Sequence, residues 1–434
     1  MAMSNFLKET DIFCKKLGII KKDRKHKNNY LIRRNNMDTL KELYKIGNGP
    51  SSSHTMGPQR AAERFKNENP DADSFRATLY GSLAATGAGH LTDYIIIKTI
   101  APKKVEIVWR EDIIKDFHPN GMLLEALDKD GNTTAQWEVF SVGGGSLAEE
   151  GKRNTSAVKE TYPLSTMDEI VKWCKDNNKT LVDFALENED SDIMDHINTI
   201  REAMKKSIDE GLATNEVIPG KLHLKRRAGV FYENFKKTND FSTLVYAYAL
   251  AASEQNASGN IIVTAPTCGS AGVLPGIFFA MKDYMNLTDE QVNEAIIVAG
   301  IIGNIIKTNA SISGAEVGCQ GEVGAACSMA AGAVAYLQGG SIDHIEYAAE
   351  IALEHHLGMT CDPVYGYVQI PCIERNAMAA QRAFDASKYS MITNGEHSVS
   401  LDQVVETMKE TGLDMHDKYK ETAKGGLAKH FFSC

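Results

Sequence analysis

At 434 residues, with 43% apolar and 24% charged residues, the chain has the composition of a folded globular protein and the length of two domains. Its formal net charge is −10, yet residues 1–36 carry ten Lys/Arg against three Asp/Glu, an excess of +7 that leaves about −17 for the rest. An acidic body lacks the basic face that nucleic-acid binding requires, and eight Cys over this length are too sparse for a secreted disulfide scaffold.

Residues 1–36 read as a solvated basic extension. Residues 1–20 lack a continuous apolar core, so no secretory leader is expected; reduced thiols and a cytoplasmic location are. Residues 37–220 read as an α+β domain ending in a helical connector. Asp38–Ile46 has helical apolar spacing, stopped by Gly47-Asn48-Gly49-Pro50. Ser51–Pro58 then reads as a polar loop, and Gln59–Phe65 as the opening of a helix. Ala77–Tyr80, Val105–Val108 and Gln136–Val142 read as strands. Lys152–Gly220 reads as the connector, with Ser165 as a cap ahead of Asp168 and Glu169. Residues 221–434 are rich in Ala, Gly, Met and Ile, a composition that lets helices approach closely, and read as a mainly α-helical catalytic domain. Ala295–Ile306, ended by Lys307, is too short to span a bilayer and reads as a buried helix.

Reactive groups concentrate in this second half. Thr264–Gly272 is a turn-rich stretch around Thr267, Cys268 and Gly269 whose backbone N–H groups suit an anion. Further on, Cys319, Cys361 and Cys372 each stand beside Gly, Pro or Asp, where a break in regular structure exposes a thiolate. Three thiolates are the natural number for a catalytic cluster that leaves one iron open. Their wide spacing does not by itself separate a cluster from buried structural thiols, and no C-x-x-C pair supports zinc.

Longer motifs separate them. Ser311-Ile312-Ser313-Gly314-Ala315-Glu316-Val317-Gly318-Cys319-Gln320-Gly321-Glu322-Val323-Gly324, Cys361-Asp362-Pro363 and Val368-Gln369-Ile370-Pro371-Cys372-Ile373-Glu374-Arg375-Asn376-Ala377 resemble the iron–sulfur L-serine dehydratase family. So do Gly49-Pro50-Ser51-Ser52-Ser53-His54-Thr55, Ser141-Val142-Gly143-Gly144-Gly145 and Lys418–Ala428, in family order from about Met37 to Cys434. The resemblance implies conversion of L-serine to pyruvate and ammonia at a 4Fe–4S cluster held by Cys319, Cys361 and Cys372. It also implies that Cys434 is a displaceable fourth ligand, and it assigns no ligand role to Cys14, Cys174, Cys268 or Cys327. A homodimer is the expected assembly.

Serine dehydration needs a base for a weakly acidic Cα–H and help for a poor leaving group. The resemblance makes His54 the leading base and His118, in Phe117–Met122, the second, with His90 positional. Ser51, Ser52, Ser53, Thr267 and Gly269 are expected to supply donors to substrate, and Lys307, Asn309 and Arg375 to bind it, Arg in bidentate fashion. A pyridoxal-phosphate lyase would need a Lys Schiff base and a phosphate cup, and no recognisable pair is present. A non-catalytic amino-acid sensor of the same fold would have little use for three cysteines with intact flanking motifs.

Overall fold

The computed structural model describes residues 36–151 and 160–431. Nine strands occur there: β1 Met37–Asp38, β2 Ile46–Asn48, β3 Ser74–Tyr80, β4 Lys104–Arg110, β5 Gly121–Leu127, β6 Thr133–Ser141, β7 Leu147–Ala148, β8 Glu160–Tyr162 and β9 Ile261–Val263. Five form one sheet in the order β4-β3-β5-β6-β7, with β3 and β4 parallel and the other pairs antiparallel. The parallel pair needs a crossover, which runs through the helix Thr92–Ile100. That helix and Gly57–Glu68 bury Ile95, Ile96, Ala61, Ala62 and Phe65 against Phe75, Ala77 and Leu79, alternate residues of β3.

A larger, helical core takes in residues from Met37–Tyr44, from the connector helices Met167–Asn177, Leu181–Asn188 and Ile193–Ala213, and from the helices beyond residue 228. Position 220 thus falls within one continuous core. Small residues set its spacing. A Cβ on Gly276 would stand 2.8 Å from Ala249 Cα, so the helices Val273–Met285 and Phe241–Ala257 touch almost backbone to backbone. Gly300 and Gly303 on the helix Asp289–Asn309 similarly make room for Leu40, Leu43 and Tyr44. The fold is therefore an α+β region followed by a largely helical one. No single helix among the described residues is long and apolar enough to cross a membrane, and Asp289–Asn309 is buried along most of its length.

Local differences from the sequence reading have physical causes. Asp38–Ile46 is a single tight turn, Leu40–Glu42, leading into β2, because Ile46–Asn48 finds a strand partner in Ile261–Val263, far along the chain. Ser51–Pro58 is not a loop: Ser52–Met56 forms a wide π-type turn continuous with Gly57–Glu68, with Ser51 as its cap accepting His54 N–H. The connector's capping box belongs to Thr166 and Glu169, one residue beyond Ser165.

Candidate active site

Three separate segments carry Cys319, Cys361 and Cys372 to one place, each at most 8% exposed. Cys319 sits on the turn Gly318–Gln320, where Gly318 has φ +73° and a Cβ would lie 2.7 Å from Met359 O, so only glycine fits. Cys361 is held by its backbone: its N–H donates to Tyr419 O at 2.7 Å, and its carbonyl accepts from Thr422 N at 3.2 Å. Cys372 opens the helix Cys372–Ile392. The Cys319 and Cys361 sulfurs and a Glu322 carboxylate oxygen lie within 4.8 Å of one another. Cys372 stands outside that close trio, though burial and then the Cys319 charge push its thiol pKa well up. A hydrogen bond from Cys361, together with Arg375, overcomes burial and lowers the Cys319 pKa, making it the readiest thiolate of the three. Arg375 anchors on Thr360 O (2.7 Å) and faces Asp362 Oδ1 at 3.7 Å. Burial opposes its charge, but Cys319, Cys372, Asp362 and Cys361 more than offset that. Three buried thiols with a cation against them fit the donor set of an iron–sulfur cluster, with one metal corner lacking a thiolate among the described residues.

Glu322 closes this floor. Thr267 Oγ1 donates to its Oε1 at 2.7 Å, and Gly269 lies flat against the same carboxylate, where a Cβ would approach to 3.0 Å. Asn376 fixes the Thr267–Gly272 turn by donating to Gly269 O (2.7 Å) and accepting from Gly272 N (2.9 Å). Burial, then Cys319 and Glu421, push the Glu322 pKa well above the carboxylate range, so it is held as the neutral acid.

The opposite wall comes from the first half of the chain and from the segment after Tyr419. His54 is fully buried. Its Nε2 lies 3.1 Å from the Ser82 carbonyl, and its Nδ1 lies 2.9 Å from Ser53 Oγ and 3.1 Å from Glu421 Oε1. His90 packs beside it, ring centroids 4.5 Å apart, and burial lowers the His90 pKa to about 3. His118 accepts the Asn120 N–H on Nδ1 (3.1 Å), which leaves the proton of its neutral ring on Nε2, 3.5 Å from Glu316 Oε1. Burial also lowers the His118 pKa. Ser51 Oγ faces Ser53 Oγ at 3.3 Å, and buried Ser52 lies beneath Gly145.

Several buried polar atoms here have no hydrogen-bond partner: His90 Nδ1, His118 Nε2, Asn120 Oδ1, Ser141 Oγ, Ser313 Oγ and Glu421 Oε2. They belong together. Asn120 and Ser141 are joined through the backbone of β5 and β6, and Gly143 at φ +97° brings its loop against Ser313. Ser313 precedes Gly314, where a Cβ would stand 3.3 Å from Cys361 Sγ. Unpaired buried polar groups cost about 1–3 kcal/mol each, so such a set beside three thiols marks a place for a polar ligand.

The other residues expected at the site have different partners. Lys307 pairs with Asp38 at 3.0 Å, and Asn309 donates its amide N–H groups to Ser165 O (2.6 Å) and Ile305 O (2.9 Å), so both side-chain nitrogens are engaged away from the thiols. Cys268 meets Met56 Sδ at 3.9 Å, and Cys327 donates to Ala379 O at 3.2 Å, both buried. Cys14 and Cys434 lie outside the described residues. The sequence reading gave no role to Glu322, Glu421 or Ser313, although all three stand inside motifs it singled out; carboxylates and hydroxyls become conspicuous only when burial is known.

Comparisons with known proteins give the family. The family model described as "Serine dehydratase alpha chain" matches residues 77–428, and "Serine dehydratase beta chain" matches 39–106. The chain is 40% identical to an L-serine dehydratase of Streptomyces coelicolor, over 91% of this chain and 99% of that protein. It is 38% identical to that of Haemophilus influenzae (90% and 99%) and to L-serine dehydratase 2 of Escherichia coli (92% and 100%). The chain belongs to the serine dehydratase family, with its alpha and beta parts in one polypeptide.

Proposed function

We propose that the protein is an L-serine dehydratase, an ammonia-lyase that converts L-serine to pyruvate and ammonia, with Cys319, Cys361 and Cys372 as ligands of a 4Fe–4S cluster. The observation that carries this reading is the convergence of three buried thiols opposite a wall of unpartnered polar atoms. When bound, the cluster supplies Lewis acidity at the substrate's hydroxyl and carboxylate oxygens. The chain's own groups do the rest. His118 Nε2–H and the Ser313 and Ser141 hydroxyls are free to donate to a carboxylate, and Asn120 Oδ1 is free to accept from the α-ammonium group. The His54–Glu421 pair handles the Cα proton. Loss of water leaves an enamine that tautomerises to an imine and hydrolyses in solution.

Arg375, at the thiols, balances thiolate charge and orients the Cys361–Asp362 segment. The six described cysteines are free thiols, which suits a reducing compartment such as the cytoplasm. The test is anaerobic purification with iron and sulfide reconstitution, then an assay for 2-oxo acid release from L-serine, L-threonine and L-cysteine. Pyruvate release from L-serine is expected, and exposure to air should abolish it together with the iron–sulfur absorbance. Full activity in an iron-free sample overturns the cluster assignment, and reconstituted protein that binds serine without releasing pyruvate is a sensor.

A further inference from the structure

The site contains three histidines, and none is suited to remove the Cα proton: hydrogen bonds occupy His54 and His118, and burial lowers the His90 pKa to about 3, which makes its unpartnered Nδ1 a weak base. A carbonyl oxygen only accepts, and Ser82 O holds His54 Nε2 as a donor at 3.1 Å. Its Nδ1 lies between Ser53 Oγ at 2.9 Å and Glu421 Oε1 at 3.1 Å, so both ring nitrogens are engaged and neither is turned to a substrate. His118 spends its Nδ1 lone pair on Asn120 N–H and presents Nε2 as a donor. Among the neighbouring carboxyl groups, Glu322 has its Oε1 taken by Thr267 and its Oε2 against the Cys319 and Cys361 thiols, and Glu316 is half exposed and bonded to Ser311. Glu421 differs from both. It is 5% exposed, its Oε1 takes His54 and the Ser53 hydroxyl (3.3 Å), and its Oε2 is buried with no partner. Its backbone is fixed in the left-handed region at φ +49°, and Ser82 Oγ donates to its carbonyl at 3.3 Å. A non-glycine residue held there is a costly placement of the kind that clusters at functional sites.

We propose that Glu421 is the catalytic base of the elimination, taking the substrate Cα proton on Oε2, and that His54 is its positioning residue. This deepens the dehydratase reading and rests on it. The Cα–H bond breaks and the proton goes to Oε2. The electron pair closes the Cα=Cβ bond, and the Cβ–O bond breaks with its pair on oxygen. Release of the Oε2 proton to that hydroxide gives water and restores the carboxylate. The groups facing Glu421 are His54, His90 and Ser53 from the first half of the chain, His118 from the β4–β5 loop, and Glu322 and Cys361 from the thiol side. Burial raises its pKa, but His54, His90 and the Ser53 hydrogen bond together bring it below the ordinary carboxylate value, so the base is ionised at neutral pH.

The test uses reconstituted enzyme and the variants Glu421→Gln, Glu421→Asp and His54→Gln. Glu421→Gln should lower kcat on the order of 10³-fold, the range of a lost general base, with KM for L-serine within about threefold. The acid limb of its pH profile should vanish. His54→Gln should keep more activity than Glu421→Gln, with the acid limb moved to higher pH because the carboxylate has lost a neighbour that lowers its pKa. Should Glu421→Gln misfold, Glu421→Asp decides, with an expected loss of about 10–100-fold and an unchanged melting temperature. Turnover of Glu421→Gln within tenfold of wild type, an acid limb that persists in it, or full activity in Glu421→Asp overturns the assignment. Failure of the wild type to make pyruvate from serine overturns the dehydratase reading instead.

Discussion

Replacing Gly426 by Ala should unfasten the segment that carries Glu421 from the loop that carries Cys361. Gly426 has φ +53°, and a Cβ there would lie 1.8 Å from Asp362 Oδ2 and 2.6 Å from its Cγ. The left-handed conformation costs a residue with a Cβ about 1–2 kcal/mol. The clash is with a carboxylate that cannot retreat freely, because Asp362 also accepts from Thr360 Oγ1 (3.0 Å) and faces Arg375 (3.7 Å). The Asp362–Leu427 N–H bond, 2.7 Å and charge-assisted, must therefore break, at about 1.5–3 kcal/mol. Together these give about 3–5 kcal/mol, which is two to three orders of magnitude in a local opening equilibrium at about 1.4 kcal/mol per tenfold. Amide hydrogen exchange at Thr422, Leu427 and Lys429 should accelerate by that factor, while the helical core keeps its protection and the urea midpoint hardly moves. Gly131→Ala is the control: φ +84° with nothing within 4 Å of the new Cβ, so it carries only the conformational cost. Unchanged exchange across residues 419–429, or an equal loss of protection in the core, would refute the reasoning.

Serine at Cys319, Cys361 or Cys372, one at a time, should abolish turnover and reduce bound iron, read by iron content and absorbance of the reconstituted protein. Cys327→Ala should leave iron unchanged and cost about 1 kcal/mol, the loss of one weak hydrogen bond and a small cavity, measured by urea unfolding. His118→Asn and Ser313→Ala should act mainly on KM, raising it about tenfold per lost donor with a smaller change in kcat, in steady-state assays. Burial lowers the His356 pKa from 6.5 to about 4, so between those values the unfolded chain holds a proton that the folded chain does not. Stability should rise with pH across that window and fall by about 3 kcal/mol as pH drops from 6.5 to 4. His356→Asn should flatten that part of the stability–pH curve, and an unaltered curve counts against the burial argument.

Much of the fold was legible because its signals are local. Alternation in β3 and the apolar run of Asp289–Asn309 need only a few neighbours to be read, and both elements stand where their patterns put them. Asp38–Ile46 carries a helical spacing that yields to a pairing with residues more than two hundred positions away. His54 looked like a residue of a polar loop because a π-type turn of serines has no hydrophobic period to reveal that it is buried. At the site, the cysteines announce themselves by residue type and motif. Lys307 and Arg375 look equally fit to clamp a carboxylate, yet only the fold shows one paired with Asp38 and the other lying beside the thiols. Glu421 had no signal of its own.

The site draws on residues from His54 to Glu421, and β2 reaches its partner β9 only after the chain has returned from residue 261. A ribosome must therefore have released every residue through Glu421 before the polar wall and the thiol floor can meet, and the many non-local contacts predict slow assembly. The three thiols proposed as iron ligands become buried only at that late stage and spend synthesis open to solvent, so on the cluster reading iron loading would compete with oxidation of nascent protein. Expression temperature and oxygen supply should then change the yield of active enzyme more than they change the yield of folded polypeptide.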